Sequence, residues 1–419
     1  MKILYVSADL GIPVLGTKGA AVHVRAMAQA FDACGHQVVL ATGALTKSPW
    51  HPPARLDVPV VHVPPGAEIV HVSSRMRAYA AGIGAAGTAA GEVRRVLFNQ
   101  ELLTQLRQRF EHDPPDLVYE RASLFGVAGL TFAREAGVPH LLELNAPLVD
   151  EQARYRQGGA LRDLADAAET WLLRQTDAVL PVSAPLAAHV VARGVSSDRV
   201  HVVANGVDTT RFRPGDGASV RARYGLGDGP VIGFVGGLRP WHGIEVLPSL
   251  VASLRRHHPR VHALVVGDGP LRDEVVRDVQ RLGLERHVTL TGAVPHDDVP
   301  ACIRAFDIAL APYPAASHSF YFSPLKLYEY LACGVPVVAP RLGQIADAVS
   351  DGHTGRLYPA GAPDALPTAC ADLLDDLPAR QRMGAAAASM VAAHHTWRHN
   401  ADRVVAIAAG VARHLGVPA

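Results

Sequence analysis

The stretch VIGFVGGLRPWHGIEVLPSLVASLRRHHPRVHALVVGDG, Val231 to Gly269, decides how this chain reads. An apolar run gives way to a glycine-rich loop, then to a helix-length segment, then to a second apolar run that stops at Gly267-Asp268-Gly269. A strand covered on both faces needs apolar side chains at successive positions, and parallel neighbours need a crossover between them. The segment ILYVSADLGIPVLGTKGAAVHVRAMAQAFDACGHQVVLAT, Ile3 to Thr42, repeats the order. It predicts a buried strand, a Gly/Pro loop, a helix with Val24, Met27, Ala28 and Phe31 on its apolar face, a stop at Gly35, and a second strand.

Working outward, short apolar runs recur at Val58 to Val63, Leu117 to Tyr119, His140 to Leu144, Ala178 to Val182 and Val200 to Val203. In the second half they fall at Val288 to Thr291, Ile308 to Ala311 and Pro336 to Ala339. Strands alternating with helix-length segments predict an α/β chain of two Rossmann-like, doubly wound domains facing each other across a cleft. The Gly/Asp/Pro-rich run after Asn205 reads as a linker, which divides the chain into domains 1–210 and 211–396. The helical stretch within 397–419 carries Val404, Val405, Ile407, Ala408 and Val411 on its apolar side and can pack on either domain. A helix over Val93 to Phe110, with apolar positions at 93, 96, 97, 103, 106 and 110, reads as packed on the first sheet in preference to a membrane.

Composition bounds the function. A chain of 419 residues exceeds one ordinary core, and 49% hydrophobic against 19% charged residues describes a globular protein. Forty Lys+Arg against 39 Asp+Glu leave a net charge of +1, which argues against nucleic acid as a partner. The four cysteines, Cys34, Cys302, Cys333 and Cys370, are not at metal-ligand spacing and read as reduced thiols of a cytoplasmic protein. Ile3 to Ala8 is too short for a signal peptide or a span, and the stretch from Ala78 to Gly91 is broken by glycines. Composition leaves the oligomeric state open.

Three loops can carry chemistry. Gly16-Thr17-Lys18-Gly19-Ala20-Ala21 opens a helix, where small residues let backbone amides approach an anion; the alternative is a tight turn. In GGLRPWHG, Gly236 to Gly243, Arg239 and His242 flank Pro240-Trp241 before a helix, either as a diphosphate seat or as a surface arginine beside a packing tryptophan. In SHSFYFSPLKLYEYLACGVPVVAP, Ser317 to Pro340, Ser323-Pro324 reads as an N-cap followed by proline. Glu329 follows Lys326 within a turn, as a ligand carboxylate suited to ribose hydroxyls or as a solvent-facing one.

The runs NGVD (Asn205 to Asp208), FVGGLRPWHG, VVGDGP (Val265 to Pro270), TGAVPHDDVP and SPLKLYEYLACGVPVVAP together resemble the family 4 glycosyltransferases. Fainter matches are the first glycine-rich loop with His23, YER at Tyr119 to Arg121, and LELNAP at Leu142 to Pro147. The resemblance implies retaining enzymes of the GT-B fold, with the nucleotide-sugar on the second domain and the acceptor on the first. It implies that Gly19 gives a backbone amide to the diphosphate and that Glu329 binds ribose. By the same resemblance Gly267, Asp268, Gly269, Pro270 and Val294 cradle the base, and Ser323, Pro324 and Leu325 turn their backbone to the diphosphate. Three departures stand out. Gly237 and His242 occupy places where the family has Arg and Lys, leaving Arg239 and Lys326 as the cations. Tyr321 replaces the first of two glutamates, and Asn145 stands where a histidine near the sugar is common.

The expected mechanism follows. Breaking a sugar–phosphate bond loads charge on the leaving diphosphate, and fixed cations and amides stabilise it. Arg239, Lys326 and Asn145 are the expected catalytic residues; His23, Glu120, Arg121 and Glu143 are expected near the acceptor, with a salt bridge to Arg121, Arg154 or Arg156 as the alternative for the carboxylates and the preferred reading for Glu151. No D-x-D stands at a strand end, and the Asp297-Asp298 pair reads as a helix start, so no metal is expected to carry the diphosphate; no other cofactor is expected either. The reading is a metal-independent hexosyltransferase that takes a UDP- or GDP-sugar to a hydroxyl of a small-molecule or carbohydrate acceptor. The competing readings are a nucleotide-sugar epimerase and a non-catalytic nucleotide-binding subunit.

Overall fold

A computed structural model describes residues 1–46, 54–85, 87–155, 159–315, 320–362 and 364–416. The chain divides into two compact units, Met1–Ala204 with Trp397–Ala419, and Asn205–Thr396. The first contains β1 (Lys2–Ser7), β2 (Gln37–Thr42), β3 (Val60–His62), β4 (Leu117–Arg121), β5 (His140–Leu144) and β6 (Ala178–Pro181). The second contains β7 (Val231–Val235), β8 (His262–Val266), β9 (Val288–Gly292), β10 (Ile308–Leu310), β11 (Val337–Pro340) and β12 (Gly355–Tyr358).

Both sheets are parallel, and their strand orders are equivalent: β3-β2-β1-β4-β5-β6 and β12-β11-β10-β7-β8-β9. In each unit the first strand is central, and the chain winds outward on one side before returning to the other. The connections therefore diverge to opposite sides at the paired strands β1/β4 and β7/β10, and ligands of doubly wound sheets bind beyond the carboxyl ends at such a point.

The helix Gly19–Ala33 buries Val24, Met27, Ala28 and Phe31, as its spacing predicts. The long helix Thr88–Phe110 packs on the first sheet and buries positions 103, 106 and 110 as expected, but its N-terminal half is turned differently. It turns Phe98, Leu102, Leu103, Leu106 and Phe110 into the core with Leu4, Val6 and Phe132, while Val96 and Leu97 stand 37% and 40% exposed. The row 98–102–106 repeats every four residues and so shares one face, which 96 and 97 leave.

The helix Trp397–Leu415 belongs to the first unit and packs on Gly19–Ala33. It buries Trp397, Ala401, Val404, Ala408 and Ala412, a stripe of mostly small residues that permits close approach. The bulkier Val405, Ile407 and Val411, expected on the apolar side, are only partly buried. Val200 to Val203 forms no strand, keeping a single bridge from Val200 to Val179. Edge strand β12 escaped the sequence reading because Gly-Arg-Leu-Tyr is not an apolar run. The unit boundary lies ahead of the expected 210/211, and the stretch read as a linker is packed. Phe212 is buried, and the Arg304 guanidinium donates to the carbonyls of Arg211 (3.0 Å) and Arg213 (2.9 Å). Among the described residues no helix is long and apolar enough to cross a membrane.

Candidate functional site

At the β7/β10 switch point the backbone is shaped by glycine. Beyond Val235 the chain turns through Gly236 (φ +137°), whose N–H donates to the Val266 carbonyl at 2.9 Å. The Leu238 N–H donates to the Asp268 carbonyl at 3.0 Å, so the loops after β7 and β8 run backbone against backbone. A Cβ on Gly267 (φ +136°) would lie 2.1 Å from the Gly236 carbonyl oxygen, a space only glycine leaves open. Tyr330 fastens the next element: its hydroxyl accepts the Val235 N–H at 2.6 Å, holding the helix Leu325–Ala332 against the end of β7.

From that helix Lys326 reaches into the turn. Its Nζ lies 4.1 Å from the centre of the Phe234 ring and 5.6 Å from that of Tyr313, and 2.9 Å from where a Gly236 Cβ would stand. It is buried and has no hydrogen-bond partner among the described residues. Burial pulls its pKa from 10.5 to about 7, with Glu329 pulling the other way. A buried ammonium without an acceptor is costly, and an anion in the turn would complete it.

His242 is not a second cation. Burial first, and Lys326 next, push its pKa down to about 3. Its Nδ1 lies 2.6 Å from the Gly237 carbonyl, to which Nδ1–H donates, leaving Nε2 as an acceptor. Arg239 is exposed, its guanidinium 5.7 Å from the Trp241 ring centre. The expected helix start here is a pair of tight turns, Pro240–His242 and Ile244–Val246, ahead of the helix Leu247–Leu254. Asp268 and Pro270 are exposed, Gly269 receives the Asp268 carboxylate on its N–H at 2.7 Å, and Val294 is half-buried.

Ser323 does not cap its helix. Its Oγ accepts the Asn205 N–H at 3.1 Å, the Asn205 side-chain amide donates to the Ser323 carbonyl, and Pro324 takes the capping position before Leu325. The asparagine of NGVD, given no role by sequence reasoning, thus pins the turn before Lys326; a polar residue opening a recurrent motif was the available signal. Glu329 lies one turn beyond Lys326, its Oε1 3.5 Å from His296 Nε2. Tyr321 is buried, its ring centre 4.4 Å from that of Phe322. Ser317 to Ser319 of this loop, like Arg156, lie outside the described residues.

In the first unit the switch point is occupied by a carboxylate. Glu143, near the end of β5, accepts from Arg121 Nη1 (2.6 Å) and the Asn145 amide at Oε1, and from His23 Nε2 (2.8 Å) and the Tyr119 hydroxyl (2.5 Å) at Oε2. Burial alone would raise its pKa; the charges of His23 and Arg121 and the donated hydrogen bonds overcome this and hold it far below the carboxylate range. His23 is buried, its ring edge-on to Trp397 at 4.9 Å. Asn145 is half-buried, and Gly19 opens its helix exposed.

Glu120, expected near the acceptor, is corrected by the structure. Side chains alternate along a strand, so it points to the face opposite Tyr119 and Arg121. There it is fully buried, with Oε2 2.9 Å from His140 Nε2 while His140 Nδ1 meets Thr176 Oγ1 at 2.8 Å. The Thr-His-Glu row resembles a catalytic triad but has no access to a substrate. Of the other carboxylates, Glu143 takes the Arg121 pairing that the sequence left open. Among the described residues no group of three His, Cys, Asp or Glu stands close enough to hold a metal ion.

Two family models cover most of the chain: "Glycosyl transferase 4-like domain" matches residues 18–206 and "Glycosyl transferases group 1" matches 229–376. A GDP-mannose-dependent α-(1-6)-phosphatidylinositol monomannoside mannosyltransferase of Mycolicibacterium smegmatis is 33% identical over 195 residues, 46% of this chain and 51% of that protein, so the chain spans about half the length of this relative. A glycogen synthase of Mycobacterium tuberculosis is 26% identical over 406 residues, 95% of this chain and 92% of that one. HepE of Anabaena, solved in complex with UDP, superposes with a TM-score of 0.72 at 18% identity over 98% of this chain and 100% of that one. That likeness defines the fold class as GT-B. The chain belongs to the group 1 and 4-like glycosyltransferases.

Proposed function

We propose that this chain transfers a hexose from a UDP- or GDP-sugar to a hydroxyl of a small-molecule or carbohydrate acceptor, with retention and without a metal. One observation carries the reading: the buried, unpartnered Lys326 ammonium at the glycine turn of the β7/β10 switch point. A diphosphate is the dianionic partner that position lacks, and Arg239 supplies a second cation from the exposed side of the same loop. Glu329 takes the ribose, and Gly267 to Pro270 with Val294 take the base. Relatives named for GDP-mannose and a neighbour solved with UDP support both bases as candidates.

The bond from the sugar's anomeric carbon to the diphosphate oxygen breaks, the acceptor oxygen bonds that carbon on the same face, and the acceptor proton passes to the departing phosphate oxygen. The first unit supports a reaction without a protein base. Glu143 has both oxygens filled by donors and is held ionised, so it orients its neighbours and leaves proton transfer to the phosphate. Because the Asn145 amide nitrogen is committed to Glu143, its Oδ1 is turned to accept from a sugar hydroxyl.

Calorimetric titration with UDP, GDP, ADP and TDP, with and without magnesium, tests this. The expected result is micromolar binding of one base, unchanged by magnesium and weakened about tenfold or more in Lys326→Met. No binding by any nucleotide refutes the reading, and binding that requires magnesium refutes metal independence.

A further inference from the structure

We infer that His296, held by Arg211 in one tautomer, is a positioning residue that aims the Glu329 carboxylate and so sets the preference for ribose over deoxyribose. The inference rests on the donor-site reading above, and its tests separate the two.

Arg211 lies in the stretch after NGVD that opens the second unit. Its Nη2 is 3.2 Å from His296 Nδ1, 3.2 Å from the His296 carbonyl and 2.7 Å from Asp297 Oδ1. Nη2 has two hydrogens, one directed to Asp297 Oδ1 and the other shared between the His296 carbonyl and Nδ1; in that three-centre arrangement Nδ1 accepts and the ring N–H is on Nε2. Nε2 is the atom that faces Glu329 Oε1, at 3.5 Å. The ring itself is braced by Phe212, 5.7 Å away between centres, and the backbone of Arg211 is in turn held by Arg304. The chain of contacts Arg304, Arg211, His296, Glu329 therefore ends on one carboxylate oxygen.

That arrangement has a chemical consequence. A carboxylate free to rotate can meet ribose hydroxyls from several angles; one with an imidazole nitrogen 3.5 Å from Oε1 has fewer orientations open to it. The side chains of His296 and Glu329 are 24% and 12% exposed, so the pair is shielded enough for its geometry to matter and open enough for a ligand to reach it. The 3.5 Å approach is long for a hydrogen bond and is of the kind that tightens when a site fills.

The readout is the ratio of dissociation constants for the 2′-deoxy and ribose diphosphates, dUDP over UDP and dGDP over GDP, measured by calorimetry on the full chain. In the wild type, for the base that binds, the ratio is expected at about tenfold or more, because a hydroxyl donating to a charged acceptor is lost. His296→Ala should lower it to about two- or threefold by weakening the ribose nucleotide alone, and His296→Gln, whose distal amide replaces the Nε2 donor, should restore most of it. Within Glu329→Ala, adding His296→Ala should change nothing further, since the two act through one carboxylate.

An unchanged ratio in His296→Ala, with a collapsed one in Glu329→Ala, overturns the inference and leaves the donor site standing. A further fall in the double variant also overturns it, by showing that His296 meets the ribose itself. A ratio unmoved by Glu329→Ala removes the ribose from this site and the donor reading with it. Should thermal melting show His296→Ala unfolded, Arg211→Gln decides: release of the tautomer must lower the ratio, and an unchanged ratio overturns the inference.

Discussion

Diphosphate binding should draw a proton onto Lys326. In the free protein burial holds the pKa of this lysine at about 7. About half the molecules are then neutral at pH 7, roughly nine-tenths at pH 8 and about one-tenth at pH 6. An anion seated beside Nζ favours the charged form and should return the pKa above about 9. Binding must therefore take up roughly 0.5 proton at pH 7 and about 0.9 at pH 8. Titrating nucleotide in several buffers of different ionisation enthalpy at pH 8 measures this as the slope of heat against buffer enthalpy. Lys326→Met should abolish the uptake. Because His242 is also neutral in the free protein, with a pKa of about 3, His242→Asn serves as the control and should leave most of the uptake in place. No uptake by the wild type at pH 8, or uptake retained in Lys326→Met, would refute the assignment of this lysine to the phosphates.

The same residue makes the free protein pH-sensitive. Its folded pKa of about 7 lies below the ordinary 10.5, so between those values the unfolded chain binds more protons and stability rises with pH. The penalty is full below pH 7 and gone above 10.5, on the order of 5 kcal/mol at about 1.4 kcal/mol per pH unit. Lys326→Met should accordingly resist urea better than the wild type at pH 6, with the gap closing by pH 10. Glu120→Ala strands the buried His140 and should cost about 3–5 kcal/mol in urea titration, with nucleotide affinity unchanged. Gly267→Ala forces a Cβ to 2.1 Å from the Gly236 carbonyl oxygen, so nucleotide binding should weaken about tenfold or more and the melting midpoint fall. Arg239→Ala removes an exposed cation: stability should stay within about 0.5 kcal/mol while the transfer rate, followed by nucleotide release, drops about tenfold or more.

Strands buried on both faces were legible because their apolar runs are continuous: β5 spans the His140 to Leu144 read from sequence, and β7 follows the run from Val231. Helix faces were harder. In Thr88–Phe110 the apolar residues exceed what one face can hold, and packing, not hydrophobicity, chose Phe98 and Leu102 over Val96 and Leu97. Motif spacing brought out Lys326, Glu329 and the glycine loops. It did not show that Ser323 serves Asn205 in place of its own helix, or that Glu120 is turned away from Arg121. Those facts depend on residues more than a hundred positions apart, or on a parity along a strand, and neither leaves a mark in local composition. Arg211 was hidden for a related reason: its neighbours Pro214, Gly215 and Gly217 read as a flexible connection, and only the buried Phe212 reveals an anchored one.

Two units with equivalent strand orders have filled the same topological position in opposite ways. At the β1/β4 point the buried charge is an anion, Glu143, and five donors from Arg121, Asn145, His23, Tyr119 and, at 3.4 Å, Tyr5 complete it. At the β7/β10 point the buried charge is a cation, Lys326, and no acceptor among the described residues meets it. A completed charge gains little from a ligand and lends rigidity; an incomplete one binds whatever supplies the missing partner. The first arrangement fixes Asn145 without needing substrate. The second should leave the folded protein less stable, at and below neutral pH, than it would be with methionine in that place, until an anion arrives or the lysine gives up its proton. The division of labour proposed above rests on this difference: the incomplete charge of the second unit is what a diphosphate would complete, and the preformed cluster of the first is what would meet acceptor hydroxyls.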